Sequence, residues 1–471
     1  MLTREEQFLW QCARSWRQPQ PERRLPTGNA AQDSLNWQHV VQLAADNRMG
    51  PLLKRVLDVT GDLSLLPGAA QRSIQRDVAV YTYRARLFAR ELQRFLNLAA
   101  GRNLPVVVLK GLWLSLKIYG QPNMRPGGDI DILLHQKDVT AALNVLDYEM
   151  DYGRWWRPIL DDTYYARHHL HQQRCNDGRA VWFELHWRLD HPYTTLTVDY
   201  DAMVARSRPS QLLGEPVREL APPDLLLSLV VHLAKHAVYL TSTIARRDLP
   251  RLILADGMLM YFVDVAEVLR LHAKEMDWNY VVEQTHSTGA SSVMGAVLQV
   301  CSRNLDAPVP GHVLQALPVM APDRPTGWLM HGMAHYLLDV YQGQRRRGLW
   351  PFLAGFRETI IFRPIRLLDL LHYCLPGAGY LQRRYGSAST AAAWRHLLRA
   401  LSQYVRLGLD TVFYTWRRER RLRRLNPEEL DRRDARYEPL LSDSGPLLDG
   451  SGDLFGPIAS DSLDANGGRL S

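Results

Sequence analysis

The sequence predicts an α+β chain that is mostly helical, with helical N-terminal and C-terminal regions flanking a small mixed β-sheet. Three observations predict it. Apolar residues recur at helical spacing through most of the 471 residues. Between residues 104 and 188 that rhythm yields to three short apolar runs rich in β-branched and aromatic residues. Those runs alternate with helix-like segments, the order of a sheet with helices packed on it.

Residues 1–100 read as a helical N-terminal region. The clearest stretch begins at Arg84 and sets apolar residues at helical spacing between arginines, and Gly101 ends it. Residues 101–220 read as the sheet-bearing core. Leu104 to Leu109 is a buried strand, and Lys110-Gly111 leads into a helix reaching Tyr119. A turn at Gly120 precedes a second strand over Asp129–Leu134, and Asp138 is placed to cap a helix from Val139 to Leu146. A third strand spans Ala180–Arg188. Residues 221–310 read as a helical domain, with helices from Asp224 to His236, Leu259–His272, Trp278–Ser287 and Ser291–Asn304. Asp224 is expected as an acid in the first turn, at the positive helix end. Residues 311–437 form a helical, basic C-terminal region interrupted at Pro351, Pro364 and Pro376. From Glu438 the chain is Gly, Ser, Asp and Pro with isolated leucines, too poor in apolar surface to pack, so 438–471 reads as a disordered acidic tail.

Composition narrows the class. An apolar fraction of 46% and a charged fraction of 23% are those of an ordinary globular protein. Cys12, Cys175, Cys301 and Cys374 lie far apart, without zinc or dithiol spacing, which fits a reducing cytoplasm. The best candidate span, Leu252 to Val268, is broken by Asp256 and Asp264. The expectation is a cytoplasmic protein, peripheral at most to a membrane. The net charge of +8 is largely local. It gathers at Arg345–Arg347 and in a run from Arg417 to Arg424 that follows an apolar helix. A solvated helix face is the main reading of that run, with membrane-surface contact the lesser one.

The chemistry centres on Arg125-Pro-Gly-Gly-Asp129-Ile-Asp131. On a strand, Asp129 and Asp131 point one way while Ile130 and Ile132 enter a core. Two carboxylates on one face repel unless a cation lies between them or one is protonated. A hard divalent ion such as Mg2+ is the natural partner, because it takes carboxylate oxygens and leaves room for phosphate. On the third strand Trp182, Glu184 and His186 share one face, opposite Val181, Phe183 and Leu185.

Val108-Leu-Lys110-Gly111, Arg125 before Gly-Asp129-Ile-Asp131, and Glu184 on a later strand together resemble the nucleotidyltransferase superfamily typified by DNA polymerase β. They resemble more closely a bacterial family of uncharacterised nucleotidyltransferases. The resemblance covers about residues 80–310. It implies a nucleotidyltransferase fold, with the helices of 221–310 completing a nucleotide cleft, and transfer of NMP from an NTP such as ATP onto a hydroxyl or phosphate acceptor. It also implies Asp129, Asp131 and Glu184 as ligands of Mg2+ or Mn2+, with Glu184 beside the acceptor. Gly111 and Gly128 would let phosphate approach the backbone, and Lys110 and Arg125 would neutralise it. Gly111-Leu112 stands where the broad superfamily has Gly-Ser or Gly-Gly.

His186 is expected as a structural histidine able to touch substrate. His232 and His236, one helical turn apart, are expected to line the pocket rather than bind metal. His168, His169 and His171 are expected in an exposed loop, and Asp264 as a paired acid within an apolar helix. The acceptor is not legible: a small molecule, a peptide or a glycan precursor would serve, and nucleic acid is disfavoured. The rival reading is a catalytically silent nucleotide- or peptide-binding protein on the same fold.

Overall fold

The computed structural model describes residues 2–17, 35–156, 171–175, 181–189, 198–236, 249–317 and 378–398. Four helices come first among the described residues: α1 (Arg4–Ser15), α2 (Trp37–Asp46), α3 (Gly50–Thr60) and the 33-residue α4 (Gly68–Ala100). Thr3 and Glu6 form a reciprocal capping box at α1. Phe8 of α1 meets the edge of Trp37 at 5.4 Å between ring centroids.

The sheet has seven strands. They are β1 (Val107–Leu109), β2 (Ile130–Leu133), β3 (Tyr152–Trp156), β4 (His171–Cys175), β5 (Trp182–His186), β6 (Arg208–Leu212) and β7 (Glu215–Glu219). Their spatial order is β3-β4-β5-β2-β1-β7-β6. The pairings β2–β5 and β1–β7 are parallel and the rest antiparallel, so the sheet is mixed, as expected. The three strands read from the sequence, β1, β2 and β5, are its neighbouring centre. Their apolar runs bury completely on one face. Beneath that face lie Phe88, Leu92, Phe95 and Leu96 of α4, spaced at helical intervals, with Phe95 5.3 Å from Phe183.

Four strands escaped the sequence reading. The β6–β7 hairpin is built from Arg208-Pro-Ser-Gln-Leu212 and Glu215-Pro-Val-Arg-Glu219, too polar to stand out. Its two-residue loop, Leu213 and Gly214, has positive φ at both positions (56° and 79°), as a tight hairpin requires. Pro209 is tolerated because β6 is an edge strand. His171, expected in a loop, opens β4; His168 and His169 lie outside the described residues.

Between β1 and β2 runs α5 (Lys110–Lys117), and after β2 a 3-10 turn leads into α6 (Val139–Asn144). Asp138, expected to cap α6, makes no side-chain cap, because that turn already carries the chain into the helix. A short α7 (Tyr200–Arg206) precedes the hairpin.

The second helical layer comprises α8 (Pro222–His236), α9 (Leu249–Ala255), α10 (Leu259–His272), α11 (Trp278–Ser287), α12 (Ser291–Leu305) and α13 (Gly311–Ala316). The bounds of α10 and α11 are those expected from the sequence, because apolar periodicity and the Asp277 cap mark them locally. Buried residues surround α10, the mark of a central helix. Asp224 is buried and accepts from Arg206 at 3.0 and 2.9 Å and from the Tyr280 hydroxyl at 3.2 Å, so it is an ion-pair partner as well as an early-turn acid. Burial and then Asp224 push the Tyr280 hydroxyl up to about 12. Beyond residue 317, the helix Ala378–Tyr385 is described; the arginine runs and the acidic tail lie outside the described residues.

One buried constellation ties the core to the second layer. Arg125, 4% exposed, donates from Nε and Nη2 to one carboxylate oxygen of Asp264 on α10, at 3.0 and 2.8 Å. Tyr119 donates to the other oxygen at 2.8 Å, and its ring stacks at 5.2 Å on Trp16, the residue that ends α1. Trp16 in turn donates to the buried Glu267, also paired with Arg17 and Arg270. Truncating one partner of such a pair leaves a buried charge uncompensated. Arg125→Met should therefore cost about 3 kcal/mol or more of unfolding free energy in urea denaturation. Arg125→Met with Asp264→Leu should recover part of that loss.

Candidate active site

The site forms where the carboxyl end of β1 meets β2 and β5. The register sets Leu109 of β1 and Glu184 of β5 on either side of Asp131. His186 follows two residues after Glu184 and so returns to the same face. On the opposite face Ile130, Ile132, Phe183 and Leu185 are buried. The alternation read from the sequence therefore holds on both strands.

At the end of β1 the chain turns sharply. Lys110 has φ 25° and Gly111 has φ 49° and ψ −123°, the latter a conformation open only to glycine. A methyl group on Gly111 would lie 3.5 Å from the Asp129 carbonyl oxygen, and one on Gly127 would lie 3.5 Å from the Gly111 Cα. Two glycine segments thus run backbone against backbone. Gly128 is exposed, and its carbonyl oxygen is 3.5 Å from Nη2 of Arg84 on α4.

This turn aims the Lys110 side chain at the carboxylates. Its Nζ lies 2.9 Å from Asp131 Oδ1 and 4.0 Å from Asp129 Oδ1. His186 Nε2 lies 2.9 Å from the same Asp131 oxygen and 3.6 Å from Glu184 Oε2. Asp131 and His186 are 1% and 3% exposed, while the side chains of Glu184 and Asp129 are 16% and 31% exposed. Burial works against a charged Asp131, but Lys110 and His186 outweigh it and hold its carboxyl well below the usual range. Asp129 goes the other way: burial and the adjacent Asp131 charge, only partly offset by Lys110, push it up to about 7. Burial likewise opposes the Lys110 charge, and Asp131, Asp129 and Glu184 overcome it and raise its pKa.

The residues fit a divalent cation. Asp131, Glu184 and His186 each offer a ligand atom within 4.8 Å of the others. Asp131 Oδ2 is buried without a hydrogen-bond partner among the described residues, an orphan that a cation would satisfy. Two carboxylates and an imidazole suit Mn2+ as well as Mg2+. The expected trio was Asp129, Asp131 and Glu184. Among the described residues it is His186, not Asp129, that stands at ligand distance from the other two.

The remaining expected site residues divide. Lys110, Gly111 and Gly128 border the carboxylates. Arg125, expected beside phosphate, is committed to Asp264, and its Nη1 lies 3.3 Å from the Pro126 carbonyl oxygen. His232 packs on Tyr261 at 5.4 Å, and the side chain of His236 lies outside the described residues. The Lys110–Asp131 contact was missed because Lys-Gly after a strand suggested phosphate. The only sequence signal for it was the need of two carboxylates for a cation.

A mixed sheet bearing paired carboxylates on adjacent parallel strands, a glycine turn beside them and helices packed around it is a nucleotidyltransferase core. The chain belongs to the family described as uncharacterised nucleotidyltransferase, whose model matches residues 33–306. The match thus takes in α2, α3 and all of α4, well before the residue-80 start expected from motifs. No curated protein and no solved structure matches the chain. Among the described residues no helix is long and apolar enough to cross a membrane.

Gly111→Ala should lower the thermal unfolding free energy by about 1–3 kcal/mol, since alanine does not tolerate this backbone. Gly68→Ala, with ordinary space at a helix start, serves as the control in the same melt.

Proposed function

We propose that this protein is a metal-dependent nucleotidyltransferase that moves NMP from an NTP, ATP being the expected donor, onto a hydroxyl or phosphate acceptor. The observation that carries this reading is the register pair Asp131–Glu184, with His186 at ligand distance, inside a chain of the nucleotidyltransferase family. A divalent ion bound there would screen the triphosphate charge and lower the pKa of the attacking hydroxyl. Asp131, Glu184 and His186 would hold it, with Asp129 as the outer carboxylate.

The chain's own residues supply the rest. Glu184 is the most exposed of the three groups at ligand distance, and of those three it is the one placed to take a proton from the acceptor. Gly128 is exposed with nothing within 4 Å of its Cβ position, so its backbone is open to phosphate, and the buried Gly111 lets the Gly127–Gly128 segment pack close to Lys110. Lys110 supplies positive charge beside that backbone. His186 Nε2 lies 2.9 Å from Asp131 Oδ1, near enough for the two atoms to bind one ion side by side. Arg125 acts at one remove, anchoring the 125–129 segment to α10. The acceptor belongs to a class that the site chemistry leaves open: a small molecule, a peptide or a glycan precursor. Placement in the DNA polymerase β-like superfamily and action in the cytoplasm belong to the same proposal.

The test is release of pyrophosphate from labelled NTPs with Mg2+ or Mn2+, with mass analysis of whatever gains a nucleotide. Asp131→Asn and Glu184→Gln should each reduce transfer roughly a hundredfold or more, with unchanged circular dichroism. Full activity in both variants would refute the site assignment. Nucleotide binding without turnover in the unmodified protein would favour the silent binding protein.

A further inference from the structure

We propose that Lys110 is a placeholder cation, which occupies the carboxylate centre until nucleotide phosphate draws it away and so couples metal loading to nucleotide arrival. This inference rests on the nucleotidyl-transfer reading and adds an order of events to it.

Three observations carry it. First, Lys110 already acts as the cation that the paired carboxylates need, 2.9 Å from Asp131 and 4.0 Å from Asp129. Second, Asp131 Oδ1 is shared by Lys110 and His186 while Oδ2, equally buried, has no hydrogen-bond partner among the described residues. The centre is therefore neutralised on one side and left open on the other. A divalent ion taking Asp131 must come close to the ammonium in a site of low dielectric, where like charges repel strongly. Third, Lys110 adjoins Gly111, which packs on Gly127 beside the exposed Gly128, the backbone open to phosphate. Its flexible four-carbon stem allows the ammonium to change partners without moving β1. Phosphate bound there would compete with Asp131 for the same ammonium. Release of Asp131 Oδ1 would then complete the Asp131, Glu184 and His186 ligand set.

Linkage makes this measurable: if nucleotide favours metal by removing Lys110, deleting the ammonium must both tighten metal binding and abolish the coupling. Mn2+ binding is followed by electron paramagnetic resonance on the full chain, alone and with exchange-inert chromium(III)–ATP, which cannot deliver its own metal. The unmodified protein should bind Mn2+ weakly, and chromium(III)–ATP should tighten binding roughly tenfold or more. Lys110→Gln should bind Mn2+ as tightly without nucleotide as the unmodified protein does with it, and chromium(III)–ATP should add nothing. Lys110→Arg keeps the charge and should bind Mn2+ alone as weakly as the unmodified protein, which controls for damage to the fold. Equal nucleotide enhancement in the unmodified protein and Lys110→Gln would overturn the placeholder role while leaving nucleotidyl transfer standing. Failure of the unmodified protein to bind chromium(III)–ATP in calorimetry would overturn the transfer reading, and this inference with it.

Discussion

Two acids side by side on neighbouring parallel strands, one buried and one half-buried, set the terms for the rest of this structure. Asp131 is 1% exposed and registers against Glu184, with Asp129 two residues away. Carboxylates so placed repel and lose hydration, and only positive charge makes the arrangement tenable. Lys110 provides it from the turn that follows β1, at the cost of positive φ at two successive residues. Strain of this kind persists where the surroundings over-determine it, here by the strand β1 on one side and the glycine segment on the other.

The same logic recurs deeper in the molecule. Arg125 and Asp264 are both nearly inaccessible, and each satisfies the other with help from Tyr119. Glu267 is treated likewise by Arg17, Arg270 and Trp16. These pairs are poor sources of net stability, since desolvation offsets most of their attraction. They do fix which surfaces meet. The segment ending in Asp129 is pinned to α10, and α10 to α1, so the position of the carboxylates is tied to helices far away in sequence.

The legible parts of the fold were those with strong local signals. The helices Leu259–His272 and Trp278–Ser287 follow from apolar periodicity and an aspartate cap. The three central strands follow from their buried, β-branched character. The outer strands were not legible: β6 and β7 are polar edge segments whose pairing depends on an unusual Leu213-Gly214 loop. In the site, strand alternation placed Asp129 with Asp131 and Glu184 with His186, while Glu184 as a ligand was implied by the family resemblance. The place of His186 beside them was underweighted, because one histidine on a strand face carries no mark of what lies opposite.

The sequence by itself determined which side chains share a face: Asp129 with Asp131, and Glu184 with His186. It also determined where the helices Leu259–His272 and Trp278–Ser287 begin and end. Both follow from backbone periods of two and 3.6 residues, which are properties of the local chain. Only the tertiary structure decided that Asp131 stands against Glu184, that Lys110 points at carboxylates, and that Arg125 is taken by an acid 139 residues away. A charged side chain does not choose its partner from its neighbours in sequence. The partner is whichever opposite charge the packing of apolar faces leaves within reach, and that depends on the whole chain at once.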